Sequence, residues 1–195
     1  MLFTKMSLAD FPWKMLLLEG LLVVLSVLLA LALNSWREAR THQNLADRAL
    51  QEVMDEAQIN CARIESVQSY HRAVVNGSQK PTGLKIGFLR NDAWDVAKTT
   101  GAASYLDYQL ASRIGEISAH QSDHRSIVRA YTEALFTNGL QLEPGQQMHQ
   151  QGEQGVINEL LRIQEKLLTK YQSLQELLNE QHNSAIATPD VCGNG

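Results

Sequence analysis

Hydrophobic residues follow two different patterns along this chain. From Met15 to Leu33 the sequence reads MLLLEGLLVVLSVLLALAL, nineteen positions at which Glu19 is the only charge and Gly20 and Ser26 are the other interruptions. About 20 apolar residues at about 1.5 Å rise cross a hydrocarbon layer of about 30 Å. Trp13 and Trp36 flank the run at a spacing that suits the two membrane interfaces. The pattern predicts a membrane-spanning helix. A cleavable secretory signal is the competing reading, because Lys5 and Lys14 precede the run and Ala30, Leu31 and Ala32 match a cleavage site. An uncleaved anchor is preferred: the run is longer than a usual signal core, Glu19 interrupts it, and helical patterning continues through Asn34, Ser35, Trp36 and Arg37.

Past the run, apolar residues recur at steps of three and four. Leu45, Ala46, Leu50, Val53, Ala57, Cys61, Ile64, Val67, His71 and Val74 form one stripe, predicting a helix that ends near Val75, where Asn76, Gly77 and Ser78 open a loop. Leu84 to Phe88 reads as a loop packed on the helices in preference to a brief strand. Asn91 to Gly101 reads as a short helix, with Asp92 capping its first amides, Trp94 anchoring it to a core, and Gly101 ending it in a left-handed conformation.

A second long helix is expected to open near Ser104 and stop at Asn138 and Gly139, with Leu106, Leu110, Ile114, Ile117, Gln121, His124, Val128, Tyr131 and Leu135 on one face. Leu140 to Gly155, rich in glutamine and glycine, reads as a loop or frayed helix start. Then Ile157, Leu160, Gln164, Leu167, Tyr171, Leu174 and Leu178 keep near-perfect heptad register, widened by Leu161 and Leu168.

The fold class predicted is therefore all-α: an N-terminal transmembrane helix continuing into an elongated antiparallel bundle of three long helices and one short one. The expected division is a leader at 1–14, an anchor at 15–36, a helical bundle at 37–183 and a C-terminal tail at 184–195. Intramolecular packing of the stripes is the default, with a homo-oligomer as the alternative use of the heptads.

Composition narrows this further. Of 195 residues, about 160 remain after leader and anchor, enough for one domain with a core. The net charge of −4, with signs interspersed, gives no basic surface for nucleic acid. Charge does not orient the anchor, since Lys5, Lys14 and the terminal amine before it nearly balance Arg37, Arg40 and Arg48 after it. An exported C-terminal part is favoured by the short leader before one long soluble segment, and by two cysteines able to pair in an oxidising compartment.

Candidate chemistry is sparse. His120 and His124 lie one turn apart, a spacing that lets two imidazoles reach one metal ion, but no third ligand is visible and neither an H-E-x-x-H nor another metal motif is present. They read first as surface or seam histidines, and His71 as a core-edge histidine. Cys61 and Cys192 either pair, stapling the tail to the bundle, or leave Cys61 as a buried free thiol. Carboxylates such as Asp55, Glu56, Glu116 and Glu133 read as a solvated face. No phosphate loop, nucleophile elbow or C-x-x-C occurs, so no cofactor and no enzymatic activity are expected. Glu19 is the least expected residue: a carboxylate in hydrocarbon is costly unless protonated, near the interface or paired with another membrane helix, with Gly20 and Ser26 beside it as small positions for close approach.

The stretch from Glu19 and Gly20 through Ala30, Leu31, Ala32, Leu33, Asn34, Ser35, Trp36, Arg37 and Glu38, with Ala93, Trp94, Asp95, Val96, Ala97, Thr100 and Gly101 later, resembles a group of uncharacterised bacterial single-pass inner-membrane proteins. The resemblance implies a cytoplasmic N-terminus, an inner-membrane anchor and a periplasmic helical domain. It implies no activity. The expected function is a membrane-anchored interaction or scaffold subunit with the lipid bilayer and a membrane or periplasmic protein as partners. The alternative is a ligand-sensing bundle acting through a separate signalling subunit, since the fourteen residues before the span leave no output domain.

Overall fold

A computed structural model of the protein describes residues 13–138, 147–181 and Cys192. These form α1 (Trp13–Val75), α2 (Ala93–Thr99), a 3-10 turn (Ala102–Tyr105), α3 (Tyr108–Asn138) and α4 (Gln147–Gln181), with no strand among the described residues. Leader residues 1–12, the connection at 139–146, and the tail apart from Cys192 lie outside them. The chain divides into two compact units, Met1–Asn44 and Leu45–Gly195.

In the first unit, α1 is long and apolar enough to cross a membrane, and every described side chain from Met15 to Thr41 is exposed. Exposure of so much Leu and Val is unfavourable in water at about 25 cal/mol per Å² and costs nothing against lipid tails. The Ser26 hydroxyl donates to the Leu22 carbonyl at 2.7 Å, satisfying it within the helix. Arg40 holds its guanidinium 5.2 Å from the centre of the Trp36 ring, pairing an aromatic and a cation next to the apolar run.

The second unit is built on the predicted stripes. Val53, Met54, Ala57, Cys61 and Ile64 of α1 meet Leu110, Ile114 and Ile117 of α3 and Ile163, Leu167, Leu174 and Leu178 of α4 in one core. The seven heptad residues of α4, Ile157 to Leu178, are at most 2 % exposed. A smaller cluster joins Tyr70 and Val74 of α1 to Ile157 of α4. α1 ends at Val75 as predicted: Asn76 donates its amide to the Arg72 carbonyl, and Gly77, at φ +76°, turns the chain so that its amide reaches the Val74 carbonyl.

Two local expectations are corrected and one left open is decided. α3 opens at Tyr108, because the Asp107 carboxylate accepts the Gln109 amide at 2.8 Å and so is the cap; Ser104 belongs instead to the 3-10 turn that follows left-handed Gly101. Of the two readings of the glutamine-rich stretch, loop or helix start, the described part 147–155 is the helix start, since α4 already runs from Gln147. Glutamine is nearly as good a helix former as leucine, and the penalty of about 1 kcal/mol for each of Gly152 and Gly155 is small beside the packing of Ile157 and Leu160 that follows. Asp92 occupies the N-cap position of α2 but makes no side-chain cap bond.

Candidate functional site

Polar residues interrupt all three stripes, and the structure gathers them between the helices. Glu56 and Asn60 of α1, Gln121 of α3 and Tyr171 of α4 are 5, 0, 3 and 1 % exposed. The Gln121 amide nitrogen donates to Glu56 Oε1 at 3.1 Å and to the Tyr171 hydroxyl at 3.0 Å. Asn60 Nδ2 also reaches the Tyr171 hydroxyl, at 3.3 Å. Burial pushes the Tyr171 phenol up to about 12, with the bonds from Gln121 and Asn60 opposing, so it stays neutral. Glu56, Ser118, Gln121 and Tyr171 border a cavity of about 10 Å³, close to the size of one water.

The same groups hold the segment that leads into α2. Asn60 accepts the Arg90 amide at 2.8 Å and donates to the Arg90 carbonyl at 2.9 Å, so one side-chain amide pairs a whole backbone unit as a neighbouring strand would. Glu56 Oε2 accepts the amides of Asp92 and Ala93 at 2.8 and 3.0 Å. It caps α2 in place of Asp92, putting a negative group at the positive end of that helix. Glu56 is thus a buried structural carboxylate, which corrects its assignment to a solvated face.

Further along, the Arg63 guanidinium donates to the Phe88 carbonyl, Tyr70 donates its hydroxyl to Gly83 and accepts the Thr82 amide, and Asn91 bridges Ser118 and Ser122 of α3. The chain from Gly83 to Asn91 is therefore a loop clasped to α1, as the sequence suggests, and α1 side chains bond its Gly83, Lys85, Phe88 and Arg90 carbonyls and its Arg90 amide. Gly87 sets how close it lies. A Cβ there would stand 2.7 Å from the Arg63 carbonyl oxygen, which is helix backbone and does not yield. Gly87→Ala is expected to cost about 1–3 kcal/mol by pushing the loop off α1, read as a lower denaturation midpoint; a change below about 0.5 kcal/mol, the size of an ordinary surface substitution, would show that the clasp is loose.

A second polar layer contains His71, His124 and Gln164, each at most 1 % exposed. His71 is wholly buried and not at the core edge. His71 Nδ1 lies 3.0 Å from Gln164 Oε1 and its Nε2 2.8 Å from the Lys85 carbonyl. Burial, aided by the nearby His71, pulls His124 down to about 4. His120, by contrast, is partly exposed and sits 3.7 Å from Asp123 on its own helix. His120 and His124 therefore occupy different environments, and no cluster of three or more His, Cys, Asp or Glu among the described residues is placed to hold a metal ion.

The remaining candidates fall as follows. Cys61 and Cys192 are joined in a disulfide, Cα atoms 5.5 Å apart, with both residues in the main core. Glu19, Gly20 and Ser26 are exposed on the first unit, and a Cβ at Gly20 would meet nothing. Asp55 accepts from Gln51, Glu133 pairs with Arg129, and Glu116 pairs with Lys170, whose ammonium holds that carboxyl below its usual range. Sequence reading missed Glu56 and Asn60. A signal was present, since Val53, Glu56, Asn60, Ile64, Val67 and His71 are themselves spaced by three and four and widen the apolar stripe. Comparison with protein-family models, with curated proteins and with solved structures finds no match to this chain.

Proposed function

We propose that this chain is a single-pass, non-enzymatic interaction or accessory subunit of a bacterial envelope complex, with its helical domain on the periplasmic side of the inner membrane. The observation that carries the reading is Glu19: it lies four residues inside an apolar run from Met15 and is exposed on the helix. A carboxylate held in hydrocarbon costs at least about 2.5 kcal/mol by insertion scales, which a polar partner on a second membrane helix offsets. Gly20 and Ser26 leave room for that helix to approach.

An up-and-down antiparallel bundle is the arrangement we infer for the second unit. Asn60 of α1 pairs with Tyr171 of α4, whereas His71 and Arg72, further along α1, pair with Gln164 and Glu165, nearer the start of α4. A disulfide between core cysteines supports an oxidising compartment and hence export. In this reading the buried polar layers serve rigidity, fixing one register of three helices and a clasped loop so that the outer surface is presented unchanged to a partner.

Crosslinking tests the proposal. A photoreactive residue at position 19 is expected to trap a discrete protein in intact membranes, and the same residue at Val24, an apolar position in the run, to label mainly lipid. Labelling of lipid alone from position 19 would remove the basis for a membrane partner. One observation favours the second reading, a ligand-sensing bundle with a separate signalling subunit: an open cleft of about 390 Å³ bordered by Val75, Gln154, Gly155 and Asn158, where α1 ends and α4 begins.

A further inference from the structure

Where α1 leaves its apolar run, the helix continues through Asn34 and Ser35 into Trp36, Arg37, Glu38 and Arg40, all of them exposed. At about 100° per residue, Trp36, Arg40 and Arg37 fall within one arc of about 100°, in line with Leu29 and Leu33 of the run. Glu38 stands about 160° from Arg40 and about 100° from Arg37. The two cations thus share a face with exposed leucines, and the carboxylate next to them in sequence points elsewhere.

Side chains on a helix tilt toward its N-terminus, which here means back toward the apolar run. Arg40 shows the tilt, since its guanidinium reaches back one turn to lie 5.2 Å from the centre of the Trp36 ring. The aromatic contact holds the charge in place without supplying an oxygen for its five N–H donors. Those donors remain for an anion.

Depth identifies the anion. With Val24, the middle of Met15–Leu33, at the centre of a hydrocarbon layer about 30 Å thick, the layer ends about ten residues later, beside Asn34. Trp36 and Arg37 then stand about 18 and 20 Å from the centre, within a headgroup region that extends to about 20–22 Å. Arg40 starts about 24 Å out and is drawn back into that region by its contact with Trp36. A helix tilt of about 20° brings all three slightly closer.

We propose that Trp36, Arg37 and Arg40 form a binding site for the headgroup of an anionic phospholipid. The inference rests on reading the apolar run as a membrane span. The guanidiniums take the phosphate, whose oxygens match their planar fork, and the Trp36 ring sits at the boundary with the acyl chains. Charge gives the selectivity: phosphatidylcholine presents the same phosphate with a cation attached, whereas phosphatidylglycerol presents it with none. A lipid held there fixes how deep the anchor sits, and with it the depth of Glu19.

Native mass spectrometry of the full-length protein, released from micelles containing equal amounts of phosphatidylglycerol and phosphatidylcholine, tests the site. An arginine at an anionic surface is worth about fivefold in binding, so the wild-type protein is expected to prefer phosphatidylglycerol on the order of twenty-fold. The preference should fall about fivefold in Arg40→Gln and vanish when Arg37→Gln is added. Arg48→Gln, an equal change of charge further along the sequence, should leave it in place. Equal retention of the two lipids by the wild-type protein, which depends on no variant folding, would overturn the proposal, as would equal losses in Arg48→Gln and Arg40→Gln. Failure of the underlying reading looks different: alkaline carbonate would then strip the protein from membranes, overturning the span and the lipid site together.

Discussion

Removing the Cys61–Cys192 disulfide is expected to lower the stability of the second unit by about 3–5 kcal/mol. The bond closes a loop of 131 residues. Chain-entropy arguments put the restriction of an unfolded loop of that length near 5 kcal/mol, and loss of native disulfides from small domains usually costs about 2–5 kcal/mol. Native packing adds to the effect, since both cysteines lie in the core, Cys61 at 2 % and Cys192 at 8 % exposure. The comparison is best made between oxidised and reduced wild-type protein, and then with Cys61→Ala combined with Cys192→Ala, because serine would bury an extra hydroxyl. Trp94 reports on the right unit, since the other two tryptophans, Trp13 and Trp36, belong to the first. Urea midpoints that coincide for oxidised and reduced protein would show that the crosslink contributes nothing. Trapping of thiols in intact cells adds a test of location: an exported domain should show both cysteines protected, whereas two freely alkylated thiols would argue against export.

The helices were legible in the sequence because their burial is periodic. The stripe from Ile157 to Leu178 predicts α4 residue by residue, and the end of α1 at Val75 follows from Asn76 and Gly77. What periodicity does not report is which polar residues turn inward. Glu56 is buried because Asp92 and Ala93, thirty-six and thirty-seven residues later, present their amides to it, and no local pattern announces a cap supplied by another helix. Asn60 is buried for the same kind of reason, its partner being the Arg90 backbone. Gly87 reads as an ordinary loop glycine until the loop is laid on the Arg63 carbonyl. Glu19 is the reverse case: the sequence alone marks it as costly in an apolar run, and the structure leaves it exposed on the helix. Gln121, Gln164, His71, His124 and Tyr171 were placed correctly on their stripes, but only the three-helix arrangement shows which of them bond across it, Gln121 to Tyr171 and Gln164 to His71, with His124 buried as well. A polar residue repeated at core positions of several helices is thus the sequence feature that points to such bonds.

Replacing His124 is expected to flatten the acid side of the stability profile. Its folded value of about 4 lies below the 6.5 of an unperturbed imidazole, with burial as the main cause and the charge of His71 as the second. Between these two values the unfolded chain binds the proton and the folded one does not, so stability rises with pH across that window. The contribution is fully present above pH 6.5, declines as pH falls toward 4, and is exhausted below it. At about 1.4 kcal/mol per pH unit the total loss is about 3 kcal/mol. Glu116 and Glu159 carry lowered values of their own and also lose stability on acidification, but in wild type and variant alike, so the difference between the two profiles isolates His124. His124→Leu should remove the decline between pH 6.5 and 4, and His120→Gln, which alters a partly exposed ring on the same helix, should leave it in place. Equal slopes for wild type and His124→Leu would show that His124 is not held neutral in the core.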